Sequence, residues 1–321
     1  MNIRTSASRN LMLAAIAGFA MAQAPAFAAA PLAKTNAPAH FRMMLGDFEV
    51  TAVSDGTVDL PVNTLLKQTP AQVDKALARS FLKSPLETSV NVYLVNTGAK
   101  LVLIDTGAGA LFGPTLGKLM ANLKAAGYQP EQIDEVYISH LHPDHVGGLA
   151  PTGAAAFPNA VVRVDKRDAD FWLSEENMQK AAEANKGFFQ GAMASLKPYV
   201  AAKRLHPFDG SMELTPGIKS QASHGHTVGH TTYVVESRGQ KLVLVGDLIH
   251  VAAVQMDDPS VTIAFDSDHK EAAKQRLSTF NAVAKDKTLM AASHLPFPGI
   301  GHLRSVGKSF QWVPTNYTQL R

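Results

Sequence analysis

The feature that most constrains this chain is a run of four ligand-type side chains within six residues, His140-Leu141-His142-Pro143-Asp144-His145. Residues i and i+2 of an extended segment point to the same side, so His140 and His142 can bind one metal ion together. A turn at Pro143 lets Asp144 and His145 face a second position. The run therefore predicts a metal centre where a strand ends, in a fold that gathers loops at one edge of a sheet.

Other candidate ligands follow at predicted strand ends further along the chain. His226 and His230 lie in the glycine-rich turn G-H-T-V-G-H, Asp247 follows the apolar segment 241–245, and His294 follows the segment 289–292. Each of these residues taken alone is typical of a structural polar side chain. Their value comes from the set, which predicts a centre with more than one metal position.

The hydrophobic patterns predict hairpins first and then strands that alternate with helices, and this order recurs twice. Alternation predicts a strand at 48–53 that ends in a turn at Ser54-Asp55-Gly56, and a hairpin of 91–95 with 100–104. Further strands are predicted at 135–139, 160–164, 217–222, 231–235, 241–245 and 289–292, and helices at 116–126 and 269–285. The pattern predicts one α/β domain in which two sheets pack face to face with helices outside.

The first 28 residues have the features of a cleaved signal peptide. Arg4 and Arg9 precede a short apolar segment, 11–22, and Ala26-Phe27-Ala28 is a small-x-small cleavage site. A membrane anchor is the alternative, and the short apolar segment argues against it. We therefore expect a signal peptide at 1–28, a flexible arm at 29–40 and one folded domain at 41–321, in a periplasmic or secreted protein without stable membrane insertion.

Composition excludes several kinds of chemistry. The 321 residues contain no cysteine, which rules out thiolate metal sites, iron–sulfur clusters and a cysteine nucleophile. The net charge of +3 gives no reason to expect a nucleic-acid partner. Imidazole and carboxylate ligands without thiolate favour Zn²⁺, with Mn²⁺, Co²⁺ or Fe²⁺ as possible substitutes.

The order H-x-H-x-D-H, G-H-T-x-G-H, G-D and a late histidine resembles the metallo-β-lactamase superfamily, over about residues 40–320. The segment 103–107 is similar to the D-T-G element of that family. Segments 45–49, 85–90 and 294–302 resemble more closely the branch of methyl parathion hydrolase and aryl lactonases. The resemblance implies an αββα sandwich and a hydrolase with two metal ions. Family members that bind metal through a cysteine are excluded as close relatives, because this chain contains no cysteine.

By this resemblance, seven residues are the expected metal ligands. One ion would be held by His140, His142 and His226, the other by Asp144, His145 and His294, and Asp247 would bridge them and orient the attacking hydroxide. Asp105 and His230 would support the ligands without binding metal.

The resemblance also implies a substrate pocket. His250 stands where homoserine lactonases of the superfamily have a tyrosine and methyl parathion hydrolase has a leucine, so it is a candidate catalytic donor as well as a simple support. Ile263 and Phe265 are bulkier than the threonine and leucine that the organophosphate hydrolase has at these positions. Their bulk disfavours binding of a phosphotriester. Phe112, Trp172 and Phe188 match aromatic pocket positions, although core packing is their ordinary role.

The resulting prediction is a dinuclear hydrolase of aryl lactones and esters such as dihydrocoumarin, with side activity on organophosphate triesters. The first alternative is a phosphotriesterase of the methyl parathion hydrolase type. The second is a periplasmic zinc-binding protein without catalysis. The resemblance further implies a homodimer.

Overall fold

The computed structural model describes residues 30–320, so the predicted signal peptide lies outside the described residues. Residues 30–37 contain no helix or strand. Pro38–Arg321 forms a compact unit by itself. Its first strand begins at His40, which therefore belongs to a sheet rather than to the predicted arm. No helix within the described part of the chain has the length and apolar character needed to cross a bilayer.

Strands of the described chain form two sheets. The first sheet has the order β1-β2-β3-β4-β5-β6. Its strands are β1 (His40–Leu45), β2 (Phe48–Leu60), β3 (Leu86–Asn96), β4 (Leu101–Ile104), β5 (Glu135–Tyr137) and β6 (Val161–Arg163). The second sheet has the order β13 to β7. Its strands are β7 (Glu213–Thr215), β8 (Ile218–Ala222), β9 (Thr231–Ser237), β10 (Gln240–Leu244), β11 (Leu289–Ala291), β12 (Ile300–Val306) and β13 (Ser309–Pro314).

Nine α-helices lie within residues 30–320. They are α1 (Val62–Leu65), α2 (Pro70–Arg79), α3 (Leu119–Ala125), α4 (Pro143–Val146), α5 (Lys166–Trp172), α6 (Glu175–Lys180), α7 (Glu183–Ala201), α8 (Ala252–Gln255) and α9 (His269–Asp286). Alternate residues of β3 show the layering. Tyr93 and Val95 face a core shared by both sheets, whereas Val92 and Leu94 face a core shared with α3, α5 and α7. A further core packs α9 on the second sheet. The predicted αββα sandwich is confirmed.

The predicted end of β2 is wrong. The predicted turn at 54–56 is a bulge, and β2 continues through it to Leu60. Asp55 is fully buried, and its carboxylate accepts hydrogen bonds from the backbone N–H groups of Ala108, Gly117 and Leu119, at 2.9–3.0 Å. The polar triplet is therefore an internal anchor for the loop 106–118 rather than a solvent-exposed turn.

Most other predicted elements match, and some elements were not predicted. The hairpin of β3 with β4 is confirmed. The helix predicted at 269–285 is α9, which begins after Asp268, whose side chain accepts from the N–H of Glu271 at 3.0 Å. The helix predicted at 116–126 is shorter, at Leu119–Ala125. The β12–β13 hairpin and α7 had not been predicted.

The topology brings several strand ends to one edge. β4 pairs in parallel with β5, and β10 pairs in parallel with β11. Parallel neighbours end at the same edge of a sheet, so the residues that follow them lie close together. Asp105 follows β4, His140 follows β5, Asp247 follows β10 and His294 follows β11.

Candidate metal centre

The first sheet contributes its polar groups through the turn after β5. The backbone N–H and the hydroxyl of Ser139 both donate to Asp105, each at 2.7 Å. This pair holds the start of the turn in place. His142 then precedes α4, whose first residue is Pro143, a residue well suited to the first position of a helix. His145 lies on the same short helix and is directed back toward the strand end.

The two sheets together bring all seven predicted ligands to one place. Single ligand atoms of His140, His142, His226 and Asp247 all lie within 4.8 Å of one another. A second group of the same tightness contains Asp144, His145 and His294. All seven are buried except Asp144, which is partly exposed. The arrangement has two adjacent positions, each surrounded by nitrogen and oxygen donors.

Asp247 lies between the two groups. Its Oδ2 is 3.0 Å from His294 Nε2 and 3.3 Å from His226 Nε2, while its Oδ1 is 3.2 Å from His145 Nε2. One carboxylate therefore faces nitrogens of both groups. This is the geometry that a bridging ligand requires.

Unpartnered buried atoms test whether metal ions fit here. Within residues 30–320, the Nε2 atoms of His140 and His145 and the Oδ1 of Asp247 are buried and have no hydrogen-bond partner. Such atoms are costly in a protein interior unless something binds them. Imidazole and carboxylate donors suit a divalent ion such as Zn²⁺. The residues present therefore fit two divalent metal ions.

Three of the predicted ligands have the charge state that metal binding requires. Burial lowers the pKa of His140 and His142 well below the ordinary histidine value, so both are in the neutral form that binds metals. Burial alone would raise the pKa of Asp247, but His145 and His294 hold it well below its usual value. Asp247 is therefore an anion at neutral pH, which is the form in which a carboxylate binds metal. For the other three histidines, His145, His226 and His294, burial alone would lower the pKa, but the carboxylate of Asp247 raises it.

Further hydrogen bonds orient the imidazole rings. Nδ1 of His145 donates to Asp105 at 2.8 Å, and Nδ1 of His226 donates to Asp266 at 2.7 Å. Nδ1 of His294 donates to the carbonyl oxygen of Ser89 at 3.0 Å. With Nδ1 committed, Nε2 of each ring is left for the centre. Asp266 was missed in the sequence because no motif marks a carboxylate forty residues from its partner.

His230 lies outside the two ligand groups. Its ring is completely buried, with Nδ1 2.8 Å from the hydroxyl of Ser223. Its Nε2 accepts a hydrogen bond from the backbone N–H of Asp247 at 3.1 Å. His230 thus braces the turn that carries Asp247.

His250 reaches the same edge from the segment after Asp247. Its Nε2 lies 3.1 Å from Asp247 Oδ2, and its ring stacks on His294 with centroids 5.1 Å apart. Neither ring nitrogen makes a hydrogen bond to any residue that the structure describes. Asp247, His250 and His294 therefore form a third group close enough to hold an ion, in competition with a role of His250 toward substrate.

A cavity of about 200 Å³ opens onto this edge. Its polar wall is formed by the ligand-type residues and His250, and its other walls are apolar. The apolar lining residues are Val58, Leu60, Phe112, Phe188 and Phe265. Val58 and Leu60 had been missed because β2 was predicted to end before them. A larger groove of about 600 Å³, beside Arg167 and His224, contains none of the seven predicted ligands.

Two residues assigned to the pocket do not line this cavity. Trp172 is buried in the core beneath α7, where its ring lies edge-on to His142 at 5.3 Å between centroids. Ile263 is fully buried in the cluster formed by α1, α2 and α8. Both correct the sequence assignment, because they pack behind the lining residues and do not face the cavity.

Comparison with known proteins agrees with this geometry. The family model described as Metallo-beta-lactamase superfamily matches residues 86–294. The chain is 24% identical to an N-acyl homoserine lactonase of Bacillus cereus over 228 residues, which is 65% of this chain and 82% of that protein.

Two solved structures are similar over most of the chain. The hydrolase AbOPH in the beta lactamase superfamily is 37% identical, with a TM-score of 0.85, and the match covers 89% of this chain and 100% of that one. AidC, a dizinc quorum-quenching lactonase, is 27% identical, with a TM-score of 0.81 and coverage of 88% and 99%. Three observations therefore agree: the sandwich carries seven ligand-type groups at one edge, the family model matches residues 86–294, and the similar proteins are hydrolases of this fold. The chain belongs to the metallo-beta-lactamase superfamily, and it is a metal-dependent hydrolase.

Proposed function

We propose that this protein hydrolyses aryl lactones and aryl esters, with dihydrocoumarin as the model substrate, at a centre of two zinc ions. The observation that carries the proposal is the cavity. Three phenylalanine rings line its apolar walls, and its polar wall is formed by the ligand-type residues around Asp247. A flat aromatic ring gains by burial against such walls. Its ester group would then face the polar wall.

The proposed ligands are those expected from the sequence. His140, His142 and His226 would hold one ion, Asp144, His145 and His294 the other, and Asp247 both. Two bound divalent ions supply a nucleophile at neutral pH and take up the charge that develops on the substrate. The carboxylates of Asp105 and Asp266 keep the rings of His145 and His226 in place, and so no reorganisation is needed during the reaction.

His250 is the proposed hydrogen-bond donor to the substrate. It lies in the polar wall of the cavity, and neither of its ring nitrogens is hydrogen-bonded to a described residue. Burial lowers the pKa of His250, so the neutral ring carries a single N–H at pH 7. That N–H can donate to the lactone carbonyl, or to the departing phenolate oxygen.

Phe265 supports lactones over phosphotriesters. Its ring lies 6.4 Å from those of Phe188 and His250, which narrows the cavity beside the polar wall. A phosphotriester places three substituents around a tetrahedral phosphorus and needs width there. A phosphotriesterase of the methyl parathion hydrolase type therefore stays the lesser alternative, and slow triester turnover is part of the proposal.

Hydrolysis of N-acyl homoserine lactones is a second candidate. It is favoured by the match to a Bacillus cereus N-acyl homoserine lactonase and to the dizinc lactonase AidC. These substrates share the lactone but lack the aromatic ring. The aromatic lining of the cavity is the reason to rank aryl lactones first.

The test is a side-by-side measurement of kcat/KM on zinc-loaded protein that lacks residues 1–28. The substrates are dihydrocoumarin, a hexanoyl homoserine lactone and methyl parathion. We expect dihydrocoumarin to exceed each of the others by at least tenfold. A preference for another substrate would replace the proposal with the corresponding candidate. Absence of turnover of all three substrates with two zinc ions bound would overturn the proposal.

We further propose that the protein is cleaved after Ala28 and is periplasmic or secreted, and that its domain at 41–321 forms a homodimer. The almost fully exposed ring of Phe81 and the neighbouring Leu82 offer apolar surface that a second copy could cover. Amino-terminal sequencing of the exported protein and its mass by light scattering test the two points separately.

A further inference from the structure

A buried arginine on α9 has no carboxylate of residues 30–320 within salt-bridge distance, and the more distant Asp266 and Asp258 partly offset its charge. Arg276 of α9 is fully buried, and no salt bridge joins it to any acidic residue that the structure describes. Burial lowers the pKa of its guanidinium to about 10, so it remains charged at neutral pH. An interior charge without a paired acid is expensive, and its presence calls for an explanation.

The guanidinium of Arg276 joins two segments that both reach the centre. Its Nε donates to the carbonyl of Leu248, the residue after Asp247. Its Nη1 donates to the carbonyls of Pro259 and Val261, at 2.8 and 2.7 Å. A planar fork of donors can bridge three carbonyls in this way, whereas a lysine ammonium is a single point of attachment.

Gln255 makes a second connection between the same two segments. Its Nε2 donates to the carbonyl of Val261 at 3.0 Å, so this oxygen is shared with Arg276. Its Oε1 accepts from the backbone N–H groups of His250 and Val251, at 2.8 and 3.0 Å. The side chain is fully buried. The backbone of His250 is thus tied to the loop that follows.

That loop, residues 258–266, ends in two groups that face the site. Phe265 lines the cavity. Asp266 accepts from His226 Nδ1 at 2.7 Å and, through its other oxygen, from the N–H of Ile263 at 3.0 Å. A displacement of the loop would therefore move the aromatic wall and the carboxylate that orients His226 at the same time.

We propose that Arg276 and Gln255 are positioning residues that lock the 258–266 loop to the segment carrying Asp247 and His250. They touch neither substrate nor metal. They act by fixing where Phe265 bounds the cavity and where Asp266 holds His226. Only the activity readout of this inference rests on the proposed function.

The test compares Arg276→Lys with a matched control on the same helix, Phe280→Leu. Phe280 is fully buried and packs on Phe310, in a core cluster that contains no residue of the loop 258–266. Hydrogen–deuterium exchange of zinc-loaded proteins reports on the loop without any substrate. We expect the amides of residues 258–266 to exchange at least tenfold faster in Arg276→Lys, and within twofold of wild type in Phe280→Leu. Equal exchange in the two variants would overturn the inference.

Kinetics supply the second readout. At equal zinc content, we expect Arg276→Lys to raise KM and lower kcat together, with at least a tenfold loss of kcat/KM, because both wall and ligand orientation change. Phe280→Leu should stay within twofold of wild type. The measurement can use any substrate that the protein hydrolyses, so it does not require the preferred substrate to be a lactone. Unchanged kcat and KM in Arg276→Lys would contradict the inference.

If Arg276→Lys does not fold, Gln255→Glu decides. This change keeps an oxygen to accept from His250 and Val251 and removes the Nε2 donor to Val261. Faster exchange confined to residues 258–266 supports the inference. Wild-type exchange there refutes it.

Discussion

At the scale of single residues, His250 separates the candidate activities. Its ring lines the cavity and lies against the carboxylate of Asp247. Neither of its ring nitrogens makes a hydrogen bond to a residue within 30–320. Such a residue can donate a hydrogen bond to the substrate, or it can join Asp247 and His294 around an ion. Substitution distinguishes these roles.

The change His250→Leu removes the hydrogen-bond donor and puts an apolar side chain of similar bulk in its place. We expect lactone kcat/KM to fall by about ten- to a hundredfold, since losing a hydrogen bond to an oxygen that gains charge in the transition state costs at least this much. The value for methyl parathion should rise, because the wall becomes apolar. Steady-state kinetics with both substrates check this. Loss of one zinc per chain in elemental analysis would instead identify His250 as a ligand, and unchanged constants for both substrates would leave it without a role.

At the scale of elements, α5 connects two of the turns that carry predicted ligands. Asp168 of α5 accepts from the backbone N–H of Leu141 and the hydroxyl of Thr227 through one oxygen, each at 2.9 Å. Its other oxygen accepts from the N–H of Gly229 at 2.6 Å. Gly229 packs so closely that a Cβ there would lie 2.6 Å from the backbone nitrogen of Asp168. One buried carboxylate thus joins the turn after β5 to the loop between β8 and β9.

Removing this carboxylate should loosen the join. In Asp168→Ala three buried donors lose their acceptor, so we expect the free energy of unfolding to fall by about 3 kcal/mol. Asp170→Ala is the matched control. Asp170 lies on the same helix with a mostly exposed side chain paired to Lys166, and its loss should cost under about 0.5 kcal/mol. Urea denaturation of the zinc-loaded proteins measures both. Equal losses would contradict the role given to Asp168.

At the scale of the whole molecule, the metal centre joins the two halves of the sandwich. The first sheet supplies the turn with His140, His142 and His145, and the second supplies His226, Asp247 and His294. Ions bound between them stabilise the folded state and have no equivalent site in the unfolded chain. Stability should therefore depend on metal.

Removal of metal with a chelator should lower Tm by about 10 °C, as expected for about 4 kcal/mol of binding energy in a domain of this size. Two equivalents of Zn²⁺ per chain should restore it. The control is chelator saturated with Zn²⁺ beforehand, which should leave Tm unchanged. Calorimetry makes the measurement, and a Tm insensitive to both treatments would argue against a structural contribution of the ions.

The sequence by itself determined what depends on neighbouring residues. Alternation within β3 and β4 and helical spacing in α9 follow from local side-chain periodicity, which is why these elements were predicted. The same applies to the histidine run, since its geometry is set within one strand end and one turn. The pattern failed at Asp55, where a turn-like triplet is buried by a loop more than fifty residues away.

Only the tertiary structure decided the partners that come from distant segments. Asp266 meets His226, Asp168 meets Gly229, and Arg276 meets Leu248 because the chain folds back, and nothing in the local sequence of either partner encodes the other. The same holds for the cavity wall. An aromatic side chain has the same local pattern whether it packs inside a core, as Trp172 does, or lines a cavity, as Phe188 does, and the difference arises from which layers surround it.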